Sequence, residues 1–224
     1  MNWGELKTQI QDYMETTFSI DSLTTFVTQA EERIYNAVQF PSLRRNVTGA
    51  CSQNNRYLQA PDDFLAPYSM AVIDQDGSYH YLLIKDVNFI REAFPIPTGA
   101  GNTGRPYCYA LFGPDYPNAP EKLAFMLGPT PDLGYGIELH YFYYPTSISY
   151  GNIDATTTWL SNNFDTVLLY GALIEAAQFN KAEQDVMANI NNKYRETLTL
   201  AKRLGDGMER QDQYRKGQVQ DQVV

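Results

Sequence analysis

The chain has 224 residues, a net charge of −9 and 17 tyrosines. That length holds one large domain or two small ones, with enough chain for a real core. The acidic balance makes the chain a poor candidate for gripping nucleic acid, which needs clustered Lys and Arg; it leaves contact with passing DNA open, since an acidic wall would repel a duplex rather than hold it.

Met1 to Glu5 shows no cationic segment followed by an apolar one, so no secretory signal is expected. No apolar run approaches the roughly 20 residues that cross a bilayer, so a soluble cytosolic chain with no membrane partner is expected. Trp3, Leu6, Ile10, Tyr13 and Met14 recur at helical spacing. Leu23, Phe26, Val27, Ala30, Ile34 and Val38 predict a second helix, with Asp21 as its cap and Glu31, Glu32 and Arg33 on its polar face. Phe40-Pro41 ends it, because a residue before proline resists helical geometry.

From Leu43 to Pro145 the texture turns to strands. Arg56 to Leu58, Tyr68 to Ile73, Ser78 to Ile84, Tyr107 to Phe112, Lys122 to Leu127 and Ile137 to Tyr144 are β-prone. Asp74-Gln75-Asp76-Gly77 reads as a hairpin turn, and Asp86 to Phe94 as one short helix. The aromatic run ending at Tyr144 suits a central strand partly buried on both faces.

Helical patterns return at Leu160 to Phe179, with Asn162 or Asn163 as the cap. This helix is apolar almost all round, where a surface helix needs one stripe. It is expected to sit central in a helical bundle, between the N-terminal pair and the final helix, with part of its cover from a neighbouring copy. Lys181 to Leu204 carries Val186, Ile190, Tyr194, Leu198 and Ala201 on one stripe, closed by Gly205. Beyond it the chain is polar and Gln-rich and is expected to be disordered alone.

The fold class read from this order is α+β. Residues 1–42 and 155–205 form a helical bundle, an antiparallel β-domain is inserted at 43–154, and 206–224 is a polar tail that is disordered or orders on assembly.

Few residues point to chemistry. Gly99 to Gly104 spells GxGxxG, but prolines flank it where a dinucleotide site needs a strand and a helix, so it reads as a flexible loop. His80 and His140 stand in different strands with no ligand spacing, so neither a metal nor any other cofactor is expected. Cys51 and Cys108 read as two reduced thiols. Asn46-Val47-Thr48 matches a glycosylation sequon that means nothing without export. Asp62 and Asp63 are adjacent turn carboxylates, not a pair facing across a cleft, so no enzyme is expected. Glu175, amid apolar neighbours, needs a partner, and Arg33 is the candidate, as a buried ion pair or across a subunit interface. Tyr107, Tyr109, Tyr116 and Tyr141 to Tyr144 read as core and interface packing rather than a base-stacking platform.

Taken in order, four stretches resemble the head-to-tail adaptor (connector) proteins of short-tailed phages: Phe26 to Ile34 with its Ala-Glu-x-Arg-Ile core, Tyr57 to Leu65, Tyr141 to Pro145 followed by Thr158-Trp159-Leu160, and Asp165 to Ala177 with its Leu-Leu-Tyr-Gly-Ala-Leu-x-Glu-Ala-Ala run. The resemblance covers the chain to about Leu204. It implies a structural virion protein: a homo-oligomeric, twelve-fold ring between the portal protein and a tail or nozzle protein, through which double-stranded DNA passes without specific binding. On that reading the tail residues Arg210, Tyr214, Arg215 and Lys216 dock portal or tail. The alternatives are a glycan-binding β-module with a Tyr-rich face and a cell-wall hydrolase of the virion.

Overall fold

A computed structural model describes residues 1–99, 101–113 and 122–220, the side chains of 206–220 excepted. In chain order the elements are α1 (Trp3–Met14), α2 (Ile20–Ala37), β1 (Arg44–Ala50), β2 (Tyr57–Gln59), β3 (Ala66–Ile73), β4 (Tyr79–Tyr81), β5 (Leu83–Ile84), α3 (Val87–Ala93), β6 (Cys108–Phe112), β7 (Ala124–Gly128), β8 (Gly136–Phe142), α4 (Trp159–Asn163), α5 (Asp165–Phe179) and α6 (Gln184–Gln220). The fold is α+β and divides into two units, Met1–Leu43 with Tyr144–Val224, and Arg44–Tyr143.

In the first unit the helices begin where short polar side chains take up free backbone donors. Asn2 and Glu5 form a capping box at α1, Ser19 caps α2 by accepting from the Ser22 N–H, and Thr158 with Ser161 caps α4. The α2 cap is thus Ser19 rather than Asp21, which lies in the first turn. Asn162 and Asn163 end α4 instead of capping α5.

Against expectation, little of the apolar surface of α5 is left for a neighbouring copy to cover. Val167, Leu168, Leu169, Ala172, Leu173, Ile174, Ala176 and Ala177 are all buried within the single chain. The helix packs against α1, α2, α4 and α6 of its own chain, which cover most of it and leave Tyr170 half-buried and Phe179 exposed. Gly205 does not close α6 either. It lies buried inside that helix, and a Cβ there would meet Val38 Cγ1 at 3.0 Å and the Gln39 carbonyl oxygen at 3.3 Å. The glycine serves close approach, not termination.

The second unit stacks three layers. One sheet runs β1-β8-β3-β4, all antiparallel, and the other runs β2-β7-β6-β5, with only β5–β6 parallel. Met70, Val72, Ile137, Leu139 and Tyr141 of the first sheet meet Tyr109, Phe125 and Leu127 of the second. The far side of the second sheet carries Cys108, Ala110 and Met126 against Ile90 and Phe94 at α3. That is why β7, Ala-Phe-Met-Leu-Gly, is buried at every position: both of its faces are covered.

Strand β8 is central, as its sequence suggests, but it alternates. Ile137, Leu139 and Tyr141 are buried, while Glu138, His140 and Phe142 face outward half-buried. The stretch Ser78 to Ile84 is not one strand. Leu82 donates back to Met70 and Leu83 to Tyr107, so the chain passes from one sheet to the other between them. Strand β1 is an element that the residue pattern did not reveal.

Candidate functional site

In the helical unit, α2, α5 and α6 meet at Gly171. A Cβ on Gly171 would lie 3.1 Å from Ala30 Cβ, 3.4 Å from Tyr194 Cε2 and 3.7 Å from Ile34 Cδ1. One turn further along α5, Glu175 Oε1 accepts from Arg33 Nη2. The Glu175 side chain is 12% exposed and that of Arg33 is 40% exposed, so the carboxylate is sunk and the guanidinium reaches it from the rim. The Tyr194 ring packs beside them. Burial pushes its hydroxyl above the usual phenol range, and the oxygen has no hydrogen-bond partner among the described residues. The group braces three helices with a charge pair over a glycine contact.

Glu31 departs from its expected place on the polar face of α2. It is buried, at 2% exposure. Its Oε1 accepts from the Ile148 N–H at 3.1 Å, and Ser147 also bonds it. Burial raises its carboxyl from 4.5 to about 7, against the pull of those two bonds, with the neighbouring Glu32 charge adding to the rise. The signal was available in the sequence. Glu31 follows Val27 by four positions and precedes Tyr35 by four, which puts it on the flank of the apolar stripe.

In the sheet unit Asp63 is a hub. Its Oδ1 accepts from the Tyr141 hydroxyl at 2.8 Å and its Oδ2 from Arg45 Nη1 at 2.6 Å. Burial opposes its charge, but these donors prevail and hold the carboxyl below its usual range. Tyr141 is pushed up to about 12 by burial and by donating to that carboxylate. The outward face of the β1-β8-β3-β4 sheet carries the Arg44 guanidinium 4.6 Å from the Tyr68 ring centre and 5.7 Å from that of Phe142. Tyr79 and Tyr81 stand exposed at the far edge.

Other predicted positions stay apart. Asp62 pairs with Lys122 at 2.5 Å, and the adjacent carboxylates do not act as a pair. His80 lies in β4 and His140 in β8. In the Gly99–Gly104 loop the Gly104 N–H donates to Thr130, and the next element is a strand, not a helix. Both cysteines are free and buried. Among the described residues no group of three or more His, Cys, Asp or Glu is placed to hold a metal, and no helix is long and apolar enough to cross a membrane. The side chains of Arg210, Tyr214, Arg215 and Lys216 lie outside the described residues, as does Tyr116.

What the described geometry offers is braced helices, a salt-bridged turn, and a sheet with an open edge and an aromatic outer face. A protein-family model described as SU10 adaptor protein matches residues 1–220. The chain belongs to that family, and so to the structural adaptors of phage virions, which implies an assembly role rather than catalysis and contact with other virion proteins. The search of the curated proteins found no match.

Proposed function

We propose that this chain forms a closed ring between the portal and the tail of a phage particle, and that DNA passes through it. The family match over residues 1–220 carries this reading. The net charge of −9 supports it, since an acidic channel repels a duplex rather than holding it. Head-to-tail contacts that close into a ring are heterologous, so each copy uses two different patches. The resemblance implies twelve copies.

In this reading α1, α2, α5 and α6 are the bundle of the adaptor, with the β-unit inserted between its halves. The Arg33–Glu175 pair holds the bundle rigid for its neighbours. The end of α6, with Arg210, Tyr214, Arg215 and Lys216, docks on the portal or a tail protein. Hydrogen exchange of residues 206–224, free and assembled, tests the docking: protection on assembly supports it, and equal exchange in both states ends it. Light scattering on the pure protein, alone and with portal, tests the ring. A monomer in both conditions would sink it.

A further inference from the structure

The two edges of the β1-β8-β3-β4 sheet differ: β4 has three residues, as short as the edges of the partner sheet, and β1 is long. The partner sheet ends on strands of three and two residues, β2 and β5. Strand β1 has seven residues, six of them exposed. It has no proline and no bulge, and its only charges are Arg44 and Arg45 at the start. Folded proteins normally protect an edge of that length.

The register shows which backbone groups are open. Cys51 N–H bonds Tyr135 just past the Ala50–Gly136 pair. In an antiparallel ladder bonded and non-bonded pairs alternate, so Gly49, Val47 and Arg45 bond to β8 while Ala50, Thr48 and Asn46 turn their N–H and C=O groups outward. At the opposite edge, Leu82 N–H bonds Met70 and Asp74 N–H bonds Ser78. By the same alternation His80 bonds to β3, and Tyr79 and Tyr81 turn outward. The side chains of Tyr79 and Tyr81, at 50% and 72% exposure, share the outer face with Asn46 and Thr48.

The two edges fit each other. The four strands alternate in direction, so β1 and β4 run opposite ways. A copy set beside the first by a small rotation, as in a ring of many members, presents its β1 antiparallel to β4. The ladder then continues with its alternation unbroken.

We infer that β4 of each copy pairs with β1 of the next, joining the sheets edge to edge around the ring. The inference rests on the ring reading and names the patches that make it. The occupant of each edge is a second copy of this chain, through the two-position match of Tyr79 and Tyr81 with outward residues of β1. The seam also takes the rings of Tyr79 and Tyr81 out of water.

Two prolines test it. Thr48→Pro and Tyr79→Pro each remove an outward N–H and leave the bonds to β8 and β3 intact, and proline is tolerated at an edge or at the first residue of a strand. Circular dichroism and melting of each full-length variant check that the fold is kept. With wild type assembling as a ring, on its own or on portal, each variant should weaken each seam about tenfold. An equal mixture should form a single seam, between the intact β4 of the Thr48→Pro chain and the intact β1 of the Tyr79→Pro chain. Native mass spectrometry should then show mixed dimers and no closed rings. The amides of Asn46, Thr48, Tyr79 and Tyr81 should be protected in the ring and not in the monomer.

Rings at wild-type level in both variants, or unprotected amides in the ring, would overturn the seam while leaving the ring reading intact. Sensitivity to Thr48→Pro but not Tyr79→Pro would overturn it in favour of a two-fold β1–β1 dimer or of a strand from another virion protein. If wild type stays monomeric with portal, the ring reading itself fails first.

Discussion

Replacing Glu31 by Gln should make the helical unit more stable at neutral and alkaline pH, although it removes a hydrogen-bonded charge. In the folded chain the carboxyl rises from 4.5 to about 7, chiefly by burial. Below pH 4.5 it is protonated folded and unfolded and costs nothing. Between 4.5 and about 7 the unfolded chain releases the proton and the folded chain keeps it, so stability falls as pH rises. Above that window the loss levels off at about 3 kcal/mol, from about 1.4 kcal/mol per pH unit. The glutamine side chain escapes the loss because its oxygen still accepts from Ile148 N–H and carries no charge. Urea unfolding at pH 5, 6, 7 and 8 checks this, with tryptophan fluorescence as the probe. Trp3 and Trp159, the two tryptophans of the chain, both lie in the same unit as Glu31. The Glu31→Gln variant should exceed wild type by less than about 1 kcal/mol at pH 5 and by about 3 kcal/mol at pH 8. A variant less stable than wild type at pH 8, or a difference that does not change with pH, would refute the reasoning.

Gly171→Ala should destabilise by about 1 kcal/mol despite alanine's better helix propensity, because the new methyl lies 3.1 Å from Ala30 Cβ on a packed helix. A more stable variant in the same assay would show that α2 and α5 do not approach so closely. Arg33→Ala should cost about 1–2 kcal/mol by stranding Glu175, discounted for the exposed rim of the pair. A double-mutant cycle with Glu175→Gln should show coupling, and strict additivity would argue against the pair. Tyr141→Phe should cost the sheet unit about 1 kcal/mol, read by near-ultraviolet circular dichroism. It should also lessen that unit's acid sensitivity. The lowered Asp63 carboxyl contributes stability that is present above its unfolded value of 3.8 and lost as pH falls through the folded one.

Much of the architecture is legible in the residues. The stripes of α1, α2 and α6, the strands β3, β6, β7 and β8, the hairpin at Asp74–Gly77 and the short helix after Asp86 follow from period and turn chemistry. What was not legible has physical causes. Strand β1, Arg-Arg-Asn-Val-Thr-Gly-Ala, lacks apolar alternation because an edge strand with both faces in water has no buried side to encode. Gly205 resembles a helix stop because composition does not show the backbone at Val38 and Gln39 pressing on it. The all-round apolar α5 suggested a partner, yet four helices of its own subunit cover most of it. Local pattern counts apolar positions and cannot say who fills them. The Arg33–Glu175 pair was legible because a carboxylate in an apolar run demands a cation. Glu31 was overlooked, although Val27 and Tyr35 flank it at four-residue spacing, because Glu32 and Arg33 beside it made the stretch look solvated.

The central claim is that copies of this chain stand as a ring between portal and tail. Electron cryo-microscopy of the intact particle measures that directly. The expected result is a closed ring of this protein at the neck; the β4 edge of each copy against the β1 edge of the next is the further result expected of the seam alone. A neck without the ring, or isolated copies elsewhere on the particle, would contradict the account.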